Sequence, residues 1–451
     1  MLAKKISRRE MLKGLGMAAA GAALAACAPP GVAPAPAVPT VEKVTPAPAK
    51  VVFELWANDA IWPVYVSIME RFEELHPDIK IDAIRGVGGT WPYIQKLLTK
   101  IAAGDTPDVM KMQSNFFDQF AMRDVFLPLD DLVERDAVDL DRSFPISVEL
   151  GRYKGQLQCM PTQMVSNAIF YNKDLFDEAG VEYPSAGWTW DDLLEKALAL
   201  TRGEGSDKVY GFFCEFWGGG FWLPHFVWSN GGEYWSEDGT QCLADSEEFI
   251  QAADFYFSLR NKHGVTPSAA AVGSDPSLGS GQGTFAAGRA AMLYAGSWAT
   301  TSLVKLKAFD WDIVAHPVSP GGKVMAAVQQ AGLCISRTSK AVGAAWEFVK
   351  FVAGAEGNAL LATGGFWIPA RMDVAKANSD YLGKNWDAWF EILKRGRLDP
   401  GAAIGRLNPK KGQQAWEALS QELGGAYGEA KSVEDACRDG ATAATEILQS
   451  A

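Results

Sequence analysis

Glu215-Phe216-Trp217 stands directly before Gly218-Gly219-Gly220, so a carboxylate and two rings share a segment whose glycines permit close approach of another molecule. A carboxylate accepts hydrogen bonds from hydroxyls, and an indole lies flat against weakly polarised C–H faces. Together they suit noncovalent recognition of a hydroxyl-rich solute. Gln113-Ser114-Asn115-Phe116-Phe117 offers amides for the same purpose, in an expected loop after a strand, where open α/β sheets place ligands. Arg406, in a stretch containing Gly and Pro, offers a charged donor fork to hydroxyls or a carboxylate, with a surface salt bridge as the competing role. The span 210–235 holds eleven aromatic residues, too many for all to face a ligand, so core packing is expected to take most of them.

Other chemistries find less support. Glu215 and Glu233 could serve a secreted carbohydrate-active hydrolase, which needs two carboxylates at a set separation. No GxSxG elbow, HExxH helix or phosphate-cradling P-loop occurs. His76, His225, His263 and His316 are isolated along the chain, and the six cysteines show neither CxxC nor zinc-ligand spacing, so no metal or cofactor is expected. If Cys27 is modified, Cys159, Cys214, Cys242, Cys334 and Cys437 remain, enough for two disulfides at most. Their simplest role is as small buried hydrophobes.

These residues must be positioned by a body too long, at 451 residues, for one ordinary domain, so two lobes sharing a cleft is the expected architecture. The formal charge of −12 argues against a nucleic-acid surface and against a polybasic membrane face. From Val51, short β runs alternate with amphipathic helices, the pattern of βαβ units and a mostly parallel sheet. Strands are expected at 51–57, 79–84, 108–112, 168–171 and 291–295. Helices are expected at 63–75, around Ile94 to Ile101 before Gly104, up to Gly180, after Thr189 and Ser246, and after Ser432, with a strand-to-helix passage over 336–353.

The first 26 residues form an address rather than part of the fold. Ser7-Arg8-Arg9-Glu10-Met11-Leu12-Lys13, followed by the Ala/Gly-rich stretch to Ala26, resembles a twin-arginine export signal. Leu24-Ala25-Ala26-Cys27 resembles a bacterial lipobox, which implies lipidation of Cys27 and an extracytoplasmic, membrane-anchored protein. Residues 27–49, rich in Pro and Ala, read as an extended tether.

Five spaced segments carry a wider resemblance: Gly104-Asp105-Thr106-Pro107-Asp108-Val109, Phe170-Tyr171-Asn172-Lys173-Asp174-Leu175-Phe176, Ala291-Met292-Leu293-Tyr294-Ala295-Gly296-Ser297-Trp298, Ala345-Trp346-Glu347-Phe348-Val349-Lys350-Phe351 and Gly365-Phe366-Trp367-Ile368-Pro369-Ala370-Arg371. In this order they are similar to the extracellular solute-binding family that includes maltose-binding protein and other sugar receptors of ABC importers. The resemblance implies an α/β, two-lobe periplasmic-binding-protein-like fold of type II, with three crossings near 163–166, 326–330 and 366–369. Lobe 1 would comprise 50–164 plus 330–366, and lobe 2 165–329 plus 367–451. It further implies Trp298, Trp56 and Asn58 as ligand positions, with core packing the competing role for Trp56; Trp367, at a crossing beside Gly364 and Gly365, either caps the cleft or packs the crossover, and these join Gln113, Asn115, Glu215, Trp217 and Arg406. Its partners would be a small solute, most simply a carbohydrate, and the transmembrane subunits of an importer, with the receptor a monomer. Where maltose-type receptors present charged side chains after the third strand, this chain has Gln113 to Phe117, so maltodextrin specificity does not carry over. A polyol, glycerol phosphate or peptide remains an alternative cargo.

Overall fold

The computed structural model describes residues 49–86, 88–215, 221–365, 367–379 and 384–450. The expected signal, Cys27, most of the tether, Trp217 and Phe366 lie outside these residues. Aliphatic residues build β1 (Ala49–Trp56) and β2 (Ile79–Gly86), which pair in parallel across α1 (Trp62–Leu75). On α1, Tyr65, Ile68, Met69 and Phe72 recur at helical spacing and form its buried face. In α2 (Thr90–Ala102), Tyr93, Ile94 and Leu97 are buried, and Gly104 leaves the helix at a φ of 83°.

Next come β3 (Val109–Gln113), parallel to β1, and α3 (Ser114–Ala121) with no intervening loop. The expected loop over 113–117 is therefore a strand end and a helical turn. Phe116, Phe117, Phe120 and Ala121 continue one apolar stripe that drives the segment into a helix.

The organising element is β4 (Met160–Asn172), thirteen residues buried from end to end. Gly180, at a φ of 65°, ends α4 (Lys173–Ala179), and a capping box between Thr189 and Asp192 starts α5 (Trp190–Leu200). Further on lie α6 (Leu223–Ser229) and α7 (Glu247–Asn261), whose expected cap Ser246 makes no side-chain capping bond. The C-terminal half of β4 pairs with β5 (Met292–Gly296) and β6 (Trp311–Val314), while its N-terminal half pairs with β7 (Ala326–Ile335) and β8 (Ile368–Pro369). One strand thus threads two α/β halves. After α8 (Val342–Ala353), β9 (Gly396–Leu398) adds to β7 in parallel. α9 (Pro400–Leu407), α10 (Gly412–Tyr427) and α11 (Val433–Gln449) complete the chain, and the Ser432 hydroxyl accepts from the Asp435 N–H to cap α11.

The main path of the sheet runs β8-β4-β7-β3-β1-β2. It is mixed rather than mostly parallel. Local βαβ units give the parallel pairs, but β7 runs antiparallel to both β3 and β4, and β8 antiparallel to β4. The described parts of the three expected crossings lie side by side: Met164 pairs with both Ile368 and Gln330, Val165 with Gln329, and Ser166 with Val328. Side chains reinforce this seam, with the Ser166 hydroxyl donating to Ala327 C=O at 2.8 Å and the Tyr65 hydroxyl to Gln163 Oε1 at 3.3 Å.

Two apolar cores serve β1–β3 and their helices, and two others fill the half built on β5 and β6. Cys159, Cys214, Cys242, Cys334 and Cys437 are buried free thiols, as small core residues. His225 and His316, far apart in sequence, are a buried pair with ring centroids 4.2 Å apart. Among the described residues no group of three or more metal-ligating side chains gathers, and no helix is long and apolar enough to cross a membrane.

Candidate functional site

A cleft of about 590 Å³ opens between the α2–α3 region and the α9–α10 pair, with Gln329 of crossing strand β7 in its lining. On one side, the buried Ser114 hydroxyl accepts from the Gln330 N–H at 3.0 Å, pinning the start of α3 to β7. That contact sets Asn115 and Phe116 at the cleft wall. Trp91, in the first turn of α2, meets Phe116 edge-on at 5.2 Å and is 54 % exposed, unusual for an indole without a partner to cover it.

On the other side, α10 divides its faces cleanly. Ala415, Leu419, Leu423 and Ala426 are buried, whereas Gln413, Trp416, Glu417, Ser420 and Gln421 face the cleft at 3–4 spacing. Gly401 lets α9 approach Trp416. A Cβ there would lie 3.1 Å from the indole Nε1, tighter than ordinary contact. Phe221 supplies a fourth ring, so amides, carboxylates and aromatic faces converge on one space.

The polar atoms of this cleft are incompletely matched. The Asp399 carboxylate is buried; its Oδ1 caps α9 by accepting from the Ala402 N–H at 3.1 Å, while Oδ2 has no hydrogen-bond partner among the described residues. Asn115 Oδ1 and Ser420 Oγ are likewise buried and unmatched. Unmatched buried polar atoms also occur away from the cleft, as at Gln158 and Tyr234, but these three border one open space lined by rings and amides, which suits them to a ligand's polar groups. Burial is the largest influence on Asp399 and pushes its pKa up to about 6. The Ala402 N–H, the Arg406 charge and the Gly401 N–H draw it down, and Asp118 raises it.

The residues expected to bind ligand fare differently. Asn115 lines the cleft, and Gln113 precedes it at the end of β3, paired with Ala331. Trp298 lies one ring behind, 5.7 Å from Phe221, and Gly296 makes room for it, since a Cβ there would fall 2.1 Å from the indole. Trp56 ends β1 and packs between two cores, while Asn58 is exposed and its Oδ1 accepts from the Ala60 and Ile61 N–H groups, turning the chain into α1. Glu215 Oε1 accepts from the Gly281 N–H at 2.9 Å, and burial holds its pKa above the ordinary value. Trp367 is buried beside the crossing strands, with the Lys111 ammonium 5.3 Å over its ring. Arg406 donates to Asp118 Oδ2 at 2.7 Å and to Leu150 C=O at 3.0 Å, joining α9 to α3 rather than facing open space. Trp217 lies outside the described residues.

The hydrolase alternative loses its carboxylate pair. Glu233 forms a two-pronged ion pair with Arg397 at 2.7 and 2.8 Å, in a different cavity, while Glu215 is held by Gly281. Sequence reasoning passed over Trp91, Asp399 and the α10 face. The available signal was a lone Trp416 set among Gln413, Glu417 and Gln421, which a core position does not require.

Comparison with known proteins gives concordant results. A family model for bacterial extracellular solute-binding proteins matches residues 63–359. A putative binding protein of Brucella abortus is 23% identical over 342 residues, spanning 75% of this chain and 80% of the relative. An arabinooligosaccharide-binding protein of Halalkalibacterium halodurans is 28% identical over 191 residues, 40% of each chain. The solved structure of an ABC substrate-binding protein from Listeria monocytogenes in complex with cycloalternan superposes with a TM-score of 0.77 at 23% identity, covering 89% of this chain and 99% of that one, which shows the shared two-lobe fold.

Proposed function

This chain belongs to the bacterial extracellular solute-binding proteins, and on that premise we propose that it captures a saccharide in the cleft between its two halves and presents it to an ABC importer. The observation that carries this reading is the cleft lining itself. Trp91, Phe116, Phe221 and Trp416 offer rings for C–H faces, and Asn115, Gln329, Gln413 and Gln421 offer amides for hydroxyls. A ligand touching both walls is held fully only when the walls approach, so binding shifts the population toward closure about the three paired crossings. On this reading lobe 1 comprises 50–164 plus 330–366 and lobe 2 comprises 165–329 plus 367–451. Trp298, behind Phe221, then acts through that ring, and Gln113 and Trp56 act by placing α3 and the end of β1.

The test is to add a panel of neutral oligosaccharides and follow tryptophan fluorescence with small-angle scattering. The expected result is a fluorescence change with a reduced radius of gyration for at least one. An unchanged radius across the panel would overturn the reading. The sequence signals at Arg8-Arg9 and Cys27 support export and a lipid anchor on the outer side of the membrane, with the receptor a monomer on its tether. Cys27→Ser is expected to move the protein from membrane to soluble fractions, and unaltered partitioning would remove the anchor from the proposal.

A further inference from the structure

The polar atoms of the cleft also have a sign. We infer that Asp399 determines specificity in this cleft, acting as an acceptor that admits neutral or amine-bearing saccharides and excludes sugar acids and sugar phosphates. The inference rests on the saccharide-receptor reading above and deepens it.

Asp399 is only 6% exposed, and its two oxygens have different duties. Oδ1 is committed to the Ala402 N–H, whereas Oδ2 has no partner among the described residues and the residue borders the cleft. An ionised carboxylate accepts and never donates, so a ligand satisfies Oδ2 only by bringing an O–H or N–H to it. Hydroxyls and ammonium groups do so. A carboxylate or phosphate brings another acceptor and a like charge, leaving both buried groups unmatched.

Nothing nearby reverses that sign. Among the described lining residues the charged side chains are Asp399 and Glu417, and no Lys or Arg joins them. The guanidinium next to Asp399 is Arg406, already held by Asp118 Oδ2 and Leu150 C=O. Asn115 Oδ1, an acceptor unmatched on the opposite wall, extends the set of atoms waiting for ligand donors, and the unmatched Ser420 hydroxyl can accept from or donate to a ligand hydroxyl.

The charged groups around Asp399 are Arg406 on its own helix, Asp118 on α3 and Glu417 on α10. Burial lifts the Asp399 pKa to about 6 against the pull of Arg406, so mild acid neutralises the acceptor. Affinity for a donor-bearing ligand therefore falls as pH drops from neutrality through that value.

Asp399→Asn isolates the charge, because asparagine caps a helix about as well as aspartate and keeps the start of α9. Calorimetric titration of the whole chain with maltotriose, arabinotriose, glucosamine trimer, trigalacturonate and glucose 6-phosphate, at pH 7.5 and 5.0, tests the inference. A neutral or amine-bearing probe is expected to bind, with trigalacturonate and glucose 6-phosphate failing. Asp399→Asn is expected to weaken binding at pH 7.5 by about tenfold or more and to flatten the pH dependence, with a thermal midpoint no lower than the wild type's, since burial disfavours the charge in the fold. Tighter binding of either anionic probe, or wild-type affinity and pH dependence in the variant, overturns the role of Asp399 while leaving the receptor reading in place. Failure of every probe instead overturns the saccharide reading, and the inference with it.

Discussion

Phe212, Phe226 and Tyr234, from the ring-rich span 210–235, are at most 2% exposed and pack against other rings, whereas Trp91 at the cleft is 54% exposed and Trp416 is half-buried among amides. In the first region Phe226 alone meets Trp190, Phe255, Tyr256 and Tyr294 at centroid distances of 5.5, 6.0, 4.9 and 5.8 Å. Two of the hydroxyls there are committed inward, Tyr256 donating to Glu215 C=O and Tyr294 to Trp222 C=O, while the buried Tyr234 hydroxyl is unmatched among the described residues. In the second region Trp91 meets Phe116 and Trp416 meets Tyr234 and Trp235, yet both indoles keep an open side, and Asp399 Oδ2, Asn115 Oδ1 and Ser420 Oγ beside them are unmatched. Rings that are closed over on every side thus mark a core, and rings left partly open among polar side chains mark a recognition surface. The difference is one of free energy: rings that bury one another have already gained what burial offers, while an exposed indole retains it for a ligand.

The strongest way to break this contrast is to cut into the core. Phe226→Ala should cost about 3–5 kcal/mol in urea unfolding, with ligand affinity retained in the fraction that folds. A cost near zero would show that the cluster is loosely packed and open to ligand.

Acid provides the next largest expected effect. His316 Nε2 lies 2.7 Å from Asn167 C=O and therefore carries the proton there, and burial holds the ring neutral, lowering its pKa to about 3. His225 is shifted the same way by burial first and by His316 second. An unfolded imidazole protonates near pH 6.5. Between that value and about 3 the unfolded chain binds more protons, so stability is fully present above pH 6.5 and is lost as the pH falls. Unfolding at pH 7 and 4 should show His316→Gln losing about 3 kcal/mol less than the wild type, and equal losses would show that the pair is not neutral in the fold. Asp399 works in the opposite sense, since its raised pKa favours the folded state as the pH falls, but it is common to both proteins and cancels in the comparison.

Trp91→Ala sharpens the contrast from the cleft side with the smallest expected change. Affinity for the bound saccharide should fall roughly fivefold, about 1 kcal/mol, while unfolding free energy stays within about 0.5 kcal/mol. A larger loss of stability than of affinity would make Trp91 a packing residue.

Much of the fold was legible because its signals are local. The βαβ starts at β1 and β2, the Thr189–Asp192 box, the Gly180 exit and the Ser432 cap depend on residues within one or two turns. The antiparallel neighbour of β3 was not legible, because β7 lies more than 200 residues later and no local pattern names it. The site divides the same way. Asn115 followed from its place after a strand, but Arg406 was taken by a partner 288 residues distant and Asn58 by its own turn. Trp416 stayed hidden because Ala415, Leu419 and Leu423 make α10 read as an ordinary amphipathic helix, and a single indole shifts that pattern little.

The position of β7 also bears on how the chain is made. Until residues 326–335 have been synthesised, β3 has an unfilled edge and the first half of β4 has no strand to lie against. The nascent protein therefore carries an exposed sheet margin for most of its synthesis, a state prone to sticking to other chains, and the early lobe cannot finish before the later one has largely emerged.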